Sequence, residues 1–572
     1  MTHDAKFPMT AAENYMSTLL DCGVKYVFAN GGTDFAPIIE GLVRMRGEGI
    51  PAPDFVTVPH ENVATAMAMG YSKVTGDPSC VMVHVNVGTA NTICGMMAAS
   101  RDNVPVMLAA GRTPILESGH HGSRNVPIHW AQENFDQGGI VREHVKWDYE
   151  LRTGQPVNTV VARALDIAMS EPTGPVYLTL PREVLGDELA NPGPAPKQRK
   201  LGSIPATPAL EGIEQAADIL SKAERPLVIS GRVGRLKGAF GALGALASNH
   251  SLAVSTISMT SNIASSNPNW IGTAGRDVIA AADVIVCIDA PVPYMPRFTD
   301  LAPDVKLIHI AHDPLFKDYP FRGFQMDLAI AGDPVAAIRM LDEAMKAKAK
   351  GNETKADRRR RNVAELRKSF DDRRAAMLET AKNTRPMTAP YIAWALNQVR
   401  DKNAIICEEL GATFDFLDFE EEGCFISNCS GALGVGLGQS LGAKLAAPDR
   451  QVICTLGDGS YMFGCPTAAH FVGRSEKLPT LTMVFNNSQW YAVRSATLGM
   501  YPNGLASKMN SLPVVDLAPS PDFEKIVEAC GGYGERVEDP EKLIPAIERA
   551  LQKVADGTPV TLNVITGTRP QG

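Results

Sequence analysis

Thr455–Asn487 reads TLGDGSYMFGCPTAAHFVGRSEKLPTLTMVFNN, and its reading decides the fold. The runs QVICTLG (451–457) and TLTMVFNN (480–487) are short, apolar and β-branched, as strands buried on both faces are. Gly457-Asp458-Gly459 falls at the carboxyl end of the first run, the edge where open parallel sheets bind ligands. Glycine lets the backbone approach a phosphate, and a helix N-terminus following it favours an anion. Asp458 offers a hard oxygen, and Asn486-Asn487 returns an amide oxygen to the same edge. An acid and an amide on neighbouring strand ends suit magnesium, which also shares phosphate oxygens. Each element alone reads equally well as a turn. Their combination, with 26 residues between GDG and NN, carries the assignment.

Outward from this stretch the same alternation continues. Further strands are expected at 25–30, 80–85, 104–111, 175–180, 226–231, 284–289, 306–311 and 559–565, separated by helical patterns such as 61–74 and 213–224. The fold class is therefore α/β, with three doubly wound parallel-sheet domains. A single core stops growing at about 250–300 residues, and the chain has 572. Two segments read as linkers, the Pro-rich 187–207 and the charged 344–385, which leaves units at 1–186, 208–343 and 386–572. The basic run RRRR at 358–361 is interleaved with Asp and Glu, so it reads as a solvated helical linker.

Composition excludes several classes. Hydrophobic residues make up 45% and charged residues 21%, with a net charge of -8, which argues against a nucleic-acid or anionic-membrane partner. The ten cysteines form no CxxC pair and several lie in apolar runs, as buried free thiols do. The N-terminus lacks an apolar signal region, and no stretch of about 18 uncharged apolar residues occurs. A cytoplasmic protein is expected.

The pattern GDG, 26 residues, NN resembles the signature of the thiamine-diphosphate enzymes. The resemblance implies thiamine diphosphate and Mg2+ as cofactors. It implies Asp458, Asn487 and the carbonyl of Gln489 as metal ligands, with Gly457, Gly459, Ser460 and Trp490 beside the cofactor. VPHENVATAMAMGYSKVTGDP (58–78) resembles the family's pyrimidine-binding segment, which makes Glu61 the acid that promotes the imino tautomer of the cofactor. Taken alone, Glu61 reads equally as a first-turn acid complementing a helix dipole. CSGALGVGLGQSLGA (429–443) implies Leu433 beneath the cofactor and the Gly431 carbonyl on its exocyclic amine. EELGATFDF (408–416) implies Gly411, Ala412 and Thr413 against the diphosphate. The three units then correspond to pyrimidine-binding, central and diphosphate-binding domains. The stretch 216–235 resembles the central domain, where some members hold FAD or ADP, although no flavin is readable here.

The substrate side is less specific. VHVNVGTAN (83–91) resembles benzoylformate decarboxylases, which makes His84 a catalytic candidate; a half-buried strand histidine is the plain alternative. His120 and His121 in SGHHGS (118–123) resemble the paired histidines of pyruvate decarboxylases. Against that, Thr33 stands where those enzymes have Asp, and Val493 where they have Glu. These departures point toward the benzoylformate decarboxylase, benzaldehyde lyase and acetolactate synthase side of the family. The expected reaction is decarboxylation or carboligation of a 2-oxo acid. Alternatives are a 2-hydroxyacyl-CoA lyase or oxalyl-CoA decarboxylase type of enzyme, or a catalytically silent regulatory paralogue. Glu61, Asp458 and Asn487 together speak against the last. The resemblance further implies a homodimer or homotetramer with active sites between subunits and a small-molecule substrate.

Overall fold

A computed structural model describes residues 9–190, 192–193, 200–257, 260–348 and 353–567. Three sheets follow one another along the chain, and every strand pair in them is parallel. The first contains β1 (Tyr26–Ala29), β2 (Asp54–Thr57), β3 (Ser79–Val83), β4 (Val106–Arg112), β5 (Asp148–Glu150) and β6 (Val176–Pro181), in the order β2-β1-β3-β4-β6-β5. The second contains β7 (Pro226–Ser230), β8 (Ala253–Thr256), β9 (Val284–Ile288), β10 (Lys306–Ala311) and β11 (Leu328–Ala331), in the order β11-β10-β9-β7-β8. The third contains β12 (Ile405–Glu409), β13 (Phe425–Ile426), β14 (Val452–Gly457), β15 (Leu481–Asn486), β16 (Tyr533–Val537) and β17 (Val560–Ile565), ordered β13-β12-β14-β15-β17-β16. The first and third sheets thus share one topology, a repeat that leaves no periodic trace in the sequence.

The helices between these strands include α1 (Glu61–Thr75), α2 (Val85–Asn91), α3 (Glu353–Lys382), α4 (Val435–Ala446) and α5 (Asp458–Phe463). In each outer domain the helix after the edge strand, α1 or α4, returns across the sheet. The two pack on each other, one from each domain. Their contact is made at backbone distance: a Cβ on Gly70 would overlap the Gln439 carbonyl, and one on Gly442 would overlap the Met67 carbonyl. Val63, Ala66 and Met67 join Val435, Leu437 and Leu441 in one apolar cluster, so the outer domains share a core.

Two local expectations are corrected. The strand expected over 80–85 ends at Val83, and His84 is the N-cap residue of α2. The reason is local: Val85 takes φ 33 and its amide donates to Asp34, which turns the chain out of the ladder. The segment 344–385 is helical over α3 and most of its residues are exposed, but one face of it is docked. Val363 and Phe370 are buried, and the Phe370 ring stands edge-on to Trp270 at 5.1 Å. Its arginines are consumed locally: Arg358 pairs with Glu224 at 2.9 Å, Arg359 donates to the Ala223 carbonyl, and Arg367 donates to the Ser265 carbonyl. Residues 349–352 of that linker, residues 191 and 194–199 of the other, and residues 1–8 lie outside the described residues.

None of the ten cysteines forms a disulfide, and six of them are buried. Among the described residues no helix is long and apolar enough to cross a membrane.

The α1–α4 contact makes a direct prediction. Gly442→Ala forces a methyl group into the Met67 carbonyl, so unfolding in urea should show a loss of about 1–3 kcal/mol with an unchanged m-value. Wild-type stability in that variant would show that the helices part at no cost.

Candidate functional site

Both outer sheets have a topological switch point. The chain leaves β1 toward β2 on one side and β3 lies on the other; β12 stands in the same way between β13 and β14. A crevice opens at such points beyond the carboxyl ends of the strands. The candidate residues fall at these two crevices.

At the C-terminal crevice, β14 ends at Gly457 and α5 begins at Asp458. Asp458 is 3% exposed. Its Oδ1 accepts from the Gly459 amide at 2.9 Å, while Oδ2 is buried with no hydrogen-bond partner. Burial raises its pKa, against the pull of the amides of Gly459, Ser488 and Asn487. Asn487 lies at the end of the neighbouring strand, and its Oδ1 accepts from the Gln489 amide at 2.9 Å. The buried Gln489 Oε1 also lacks a partner. Among the described residues no three His, Cys, Asp or Glu side chains cluster as metal ligands. One carboxylate with amide and carbonyl oxygens is instead the donor set of a hard divalent ion, and the orphaned Asp458 oxygen fits one. Trp490 lies against Gly459, where a Cβ would strike the indole, and its ring meets Phe463 edge-on at 5.8 Å.

The loop after β12 lies alongside. A Cβ on Gly411 would sit 2.6 Å from the Thr455 carbonyl carbon, so only glycine lets this loop lie on the end of β14. Ala412 is buried, and Thr413 Oγ1 is buried without a partner. Glu409, at the end of β12, was not singled out by sequence reasoning. Its two oxygens accept from the amides of Gly434 at 2.5 Å and Gly436 at 2.6 Å. Burial pushes this carboxyl up to about 7, while those amides and the Ser460 hydroxyl draw it back. Gly431 has φ 72, which glycine adopts without strain, and Leu433 is half-buried.

The N-terminal crevice holds Glu61 at the first position of α1, 8% exposed. Its Oε2 accepts from Asn91 at 3.1 Å. Next to it, Asn62 donates to the carbonyls of Gly434 and Phe463, both at 3.4 Å. Glu61 therefore faces the Gly-rich loop of the C-terminal domain, and its charge is felt by Cys465 there. His84 is half-buried, with Nδ1 2.5 Å from Asp34 Oδ1. The hydrogen bond to Asp34 raises the His84 pKa above its ordinary 6.5, burial opposes this, and the charges of Asp34 and Glu61 add to it. Gly32 and Gly111 make room for the pair: a Cβ on the first would overlap the imidazole, and on the second the Asp34 carboxylate. Asp34, 3% exposed, is not legible in the sequence, where the family comparison falls on its exposed neighbour Thr33.

His120 and His121 stack with centroids 4.3 Å apart beside the helix Arg182–Gly186. His120 Nε2 reaches Asp187 at 3.2 Å. No described hydrogen bond or ring contact joins either to Glu61, His84 or Asp458. Val493 is 46% exposed on the helix Tyr491–Met500. At the corresponding edge of the central sheet, Arg232 pairs with Asp289 at 3.0 Å, and the adjoining cavity is about 20 Å3, little more than a water. A wider cavity of about 580 Å3 lies where the three domains meet, lined by Lys73, Glu171, Arg235 and Glu422 among others.

Comparison with known proteins matches this geometry. The thiamine pyrophosphate enzyme N-terminal TPP binding domain matches residues 9–140, the central domain 213–341, and the C-terminal TPP binding domain 410–564. The acetolactate synthase large subunit of Mycobacterium tuberculosis is 25% identical, covering 95% of this chain and 93% of its own. The acetolactate synthase of Bacillus subtilis is 24% identical, covering 97% and 92%. In fold, the chain superposes on the 4-hydroxybenzoylformate decarboxylase of Rhodococcus jostii with a TM-score of 0.77 at 22% identity, covering 98% of this chain and 100% of that one. The benzoylformate decarboxylase of Polynucleobacter necessarius gives 0.78 at 19%, covering 98% and 99%.

The Asp34–His84 pair makes a pH prediction. A raised folded pKa means that the pair stabilises fully below the ordinary 6.5 and its contribution is lost as pH rises through the folded value. An NMR titration of the His84 ring should therefore place its midpoint above 6.5, and Asp34→Asn should bring it down. A midpoint indifferent to Asp34→Asn would refute the coupling.

Proposed function

Because the chain belongs to the thiamine pyrophosphate enzymes, we propose that it uses thiamine diphosphate and Mg2+ to cleave the bond between carbons 1 and 2 of a 2-oxo acid, with the remaining acyl carbon passed to a proton or to a second carbonyl. One arrangement carries this reading: within one chain, Glu61 and His84 at one switch point stand with the Asp458–Asn487 strand ends at the other, joined through Asn62 and Gly434. The acetolactate synthase relatives favour transfer to a second carbonyl, and the His84 proton supports release of an aldehyde.

When bound, thiamine diphosphate supplies a nucleophilic thiazolium carbon and an electron sink. The residues of the chain do the rest. Asp458, Asn487 and the Gln489 carbonyl would hold the divalent ion, and the Gly457–Ser460 turn with Gly411–Thr413 would border the diphosphate. Glu61 holds a proton at its carboxyl oxygen for the aminopyrimidine nitrogen, with Asn91 fixing the other oxygen. His84, tied by Nδ1 to Asp34 and with Nε2 3.4 Å from the Gln132 amide, would act as the proton donor to the substrate. The Leu433 side chain and the Gly431 carbonyl orient the rings. His120 and His121, which pair with each other and with Asp187, are given no step in this reaction.

Assembly as a homodimer or homotetramer belongs to the same reading, although the single chain already brings Glu61 to the Gly434 loop, where a site between subunits was expected. It is supported by exposed apolar residues just beyond Asn487: Met500, Leu505, Met509 and Val514 are each at least 65% exposed. Light scattering should then give a mass of two or four chains, and a fully active monomer would contradict it.

Two variants separate the assigned roles. Glu61→Gln should cut turnover by about 10²–10⁴-fold while circular dichroism still reports bound cofactor. Asp458→Ala should lose cofactor retention altogether. The reverse pattern would exchange the two assignments. If wild-type protein given thiamine diphosphate and Mg2+ consumes none of a panel of 2-oxo acids, read by product mass spectrometry, the reaction assigned here fails.

A further inference from the structure

The carboxyl group of Glu409 has no part in holding the ion or moving a proton, yet it touches three segments that border the cofactor site. It stands at the end of β12, immediately before Gly411–Thr413, and is 3% exposed. Its oxygens accept the amides of Gly434 and Gly436, the N-cap and second residues of α4, at 2.5 and 2.6 Å. Ser460 of the GDGS turn lies near enough to draw down the pKa of the same carboxyl. Contacts this short from backbone N–H to a buried carboxyl are charge-assisted, and they sit at the positive end of a 12-residue helix.

The peptide of Gly434 is gripped on its other side as well. Its carbonyl accepts from Asn62, next to Glu61, and its Cα is pressed on the Phe463–Gly464 backbone, where a Cβ would lie 2.5 Å from the Phe463 carbonyl carbon. Gly434 takes φ 81, a conformation that few side chains tolerate. Leu433 and Gly431 hang from this peptide. Ala432 between them is held by Ser430 and Asn428, and what grips Gly434 fixes the other end of the loop.

We propose that Glu409 is a positioning residue: by holding the Gly434 and Gly436 amides it presets the 431–434 loop, and with it Leu433, against the Ser460 turn before thiamine diphosphate binds. The inference rests on the thiamine reading for its ligand but not for its geometry. A carboxyl that merely filled the core would leave cofactor affinity untouched once the fold had formed. A positioning carboxyl governs affinity more than turnover, because saturating cofactor can restore the loop. Its signature is therefore opposite to that of Glu61.

The test compares wild-type, Glu409→Gln and Glu409→Asp full-length protein, stripped of cofactor with chelator. Glutamine keeps the shape but turns an N–H toward an N–H; aspartate keeps the charge one methylene short. For Glu409→Gln we expect the apparent Kd for thiamine diphosphate at fixed Mg2+ to rise about tenfold or more. Turnover at saturating cofactor should stay within about threefold of wild type, and Glu409→Asp should fall between. Hydrogen exchange of peptides spanning 429–437 in the stripped protein should speed up in Glu409→Gln, while peptides of the central domain do not change. An unchanged Kd, or a loss of turnover at unchanged Kd, overturns the proposal. If Glu409→Gln does not fold, the aspartate variant carries the same comparison. If wild-type protein takes up no thiamine diphosphate, the thiamine reading fails, and the exchange of 429–437 alone decides for or against the clamp.

Discussion

Two helices from different domains touch along their backbones, and the site exists because they do. At Gly70, Gly438 and Gly442 the α1–α4 interface has no room for a single added carbon. Such closeness fixes the helices along their axes as well as across them, since carbonyl oxygens and Cα atoms interlock where side chains would slide. The N-terminus of α1 is thereby set against the N-terminus of α4. Glu61, Asn62 and Gly434 come together across 372 residues of sequence, measured from Asn62 to Gly434. An interface of long flexible side chains would bury similar area without setting that register.

Four carboxyl groups around the two crevices show how surroundings divide labour among one kind of side chain. Asp34 is bound to an imidazole, Glu409 to two amides, Glu61 to one amide side chain, and Asp458 keeps one oxygen unbound. Only the last is suited to a cation. Only Glu61 faces the partner domain with an oxygen held by a single weak donor. The other two act through a neighbour, on a ring or on a loop.

Much of the fold was legible in the sequence, and what was missed has a physical pattern. The ten stretches read as strands all form strands within one or two residues of the expected ends. Seven strands went unseen, and six of them, β2, β5, β8, β11, β13 and β16, are sheet edges. Edge strands are short and only partly covered, so a sequence such as DFVT or DYE carries no continuous apolar run. The seventh, β12, lies inside its sheet but ends in Glu408-Glu409, which disguised it as a loop. In the site, Glu61, Asp458 and Asn487 stand just past strand ends at the two crevices, where the apolar runs before them place them. Asp34 and Glu409 were not legible, because their work depends on a histidine 50 residues away and on amides 25 and 27 residues away, which no local pattern encodes. The shared topology of the first and third sheets escaped for a similar reason. It lives in strand order, to which hydrophobic periodicity is blind.

The placement of α1 and α4 also bears on how the molecule comes into being. The second sheet, with strands from β7 to β11, lies in the chain between the two helices that must interlock. The whole central domain therefore emerges from the ribosome with the Gly70 side of α1 uncovered, until its partner helix is made. Long-range contacts of this kind form late and slowly. The first domain can build its sheet and bring Asp34 to His84 on its own, but the apolar flank of α1 stays exposed until α4 arrives. The close fit that gives the finished protein its register thus leaves the growing chain with an apolar flank that stays bare until α4 is made.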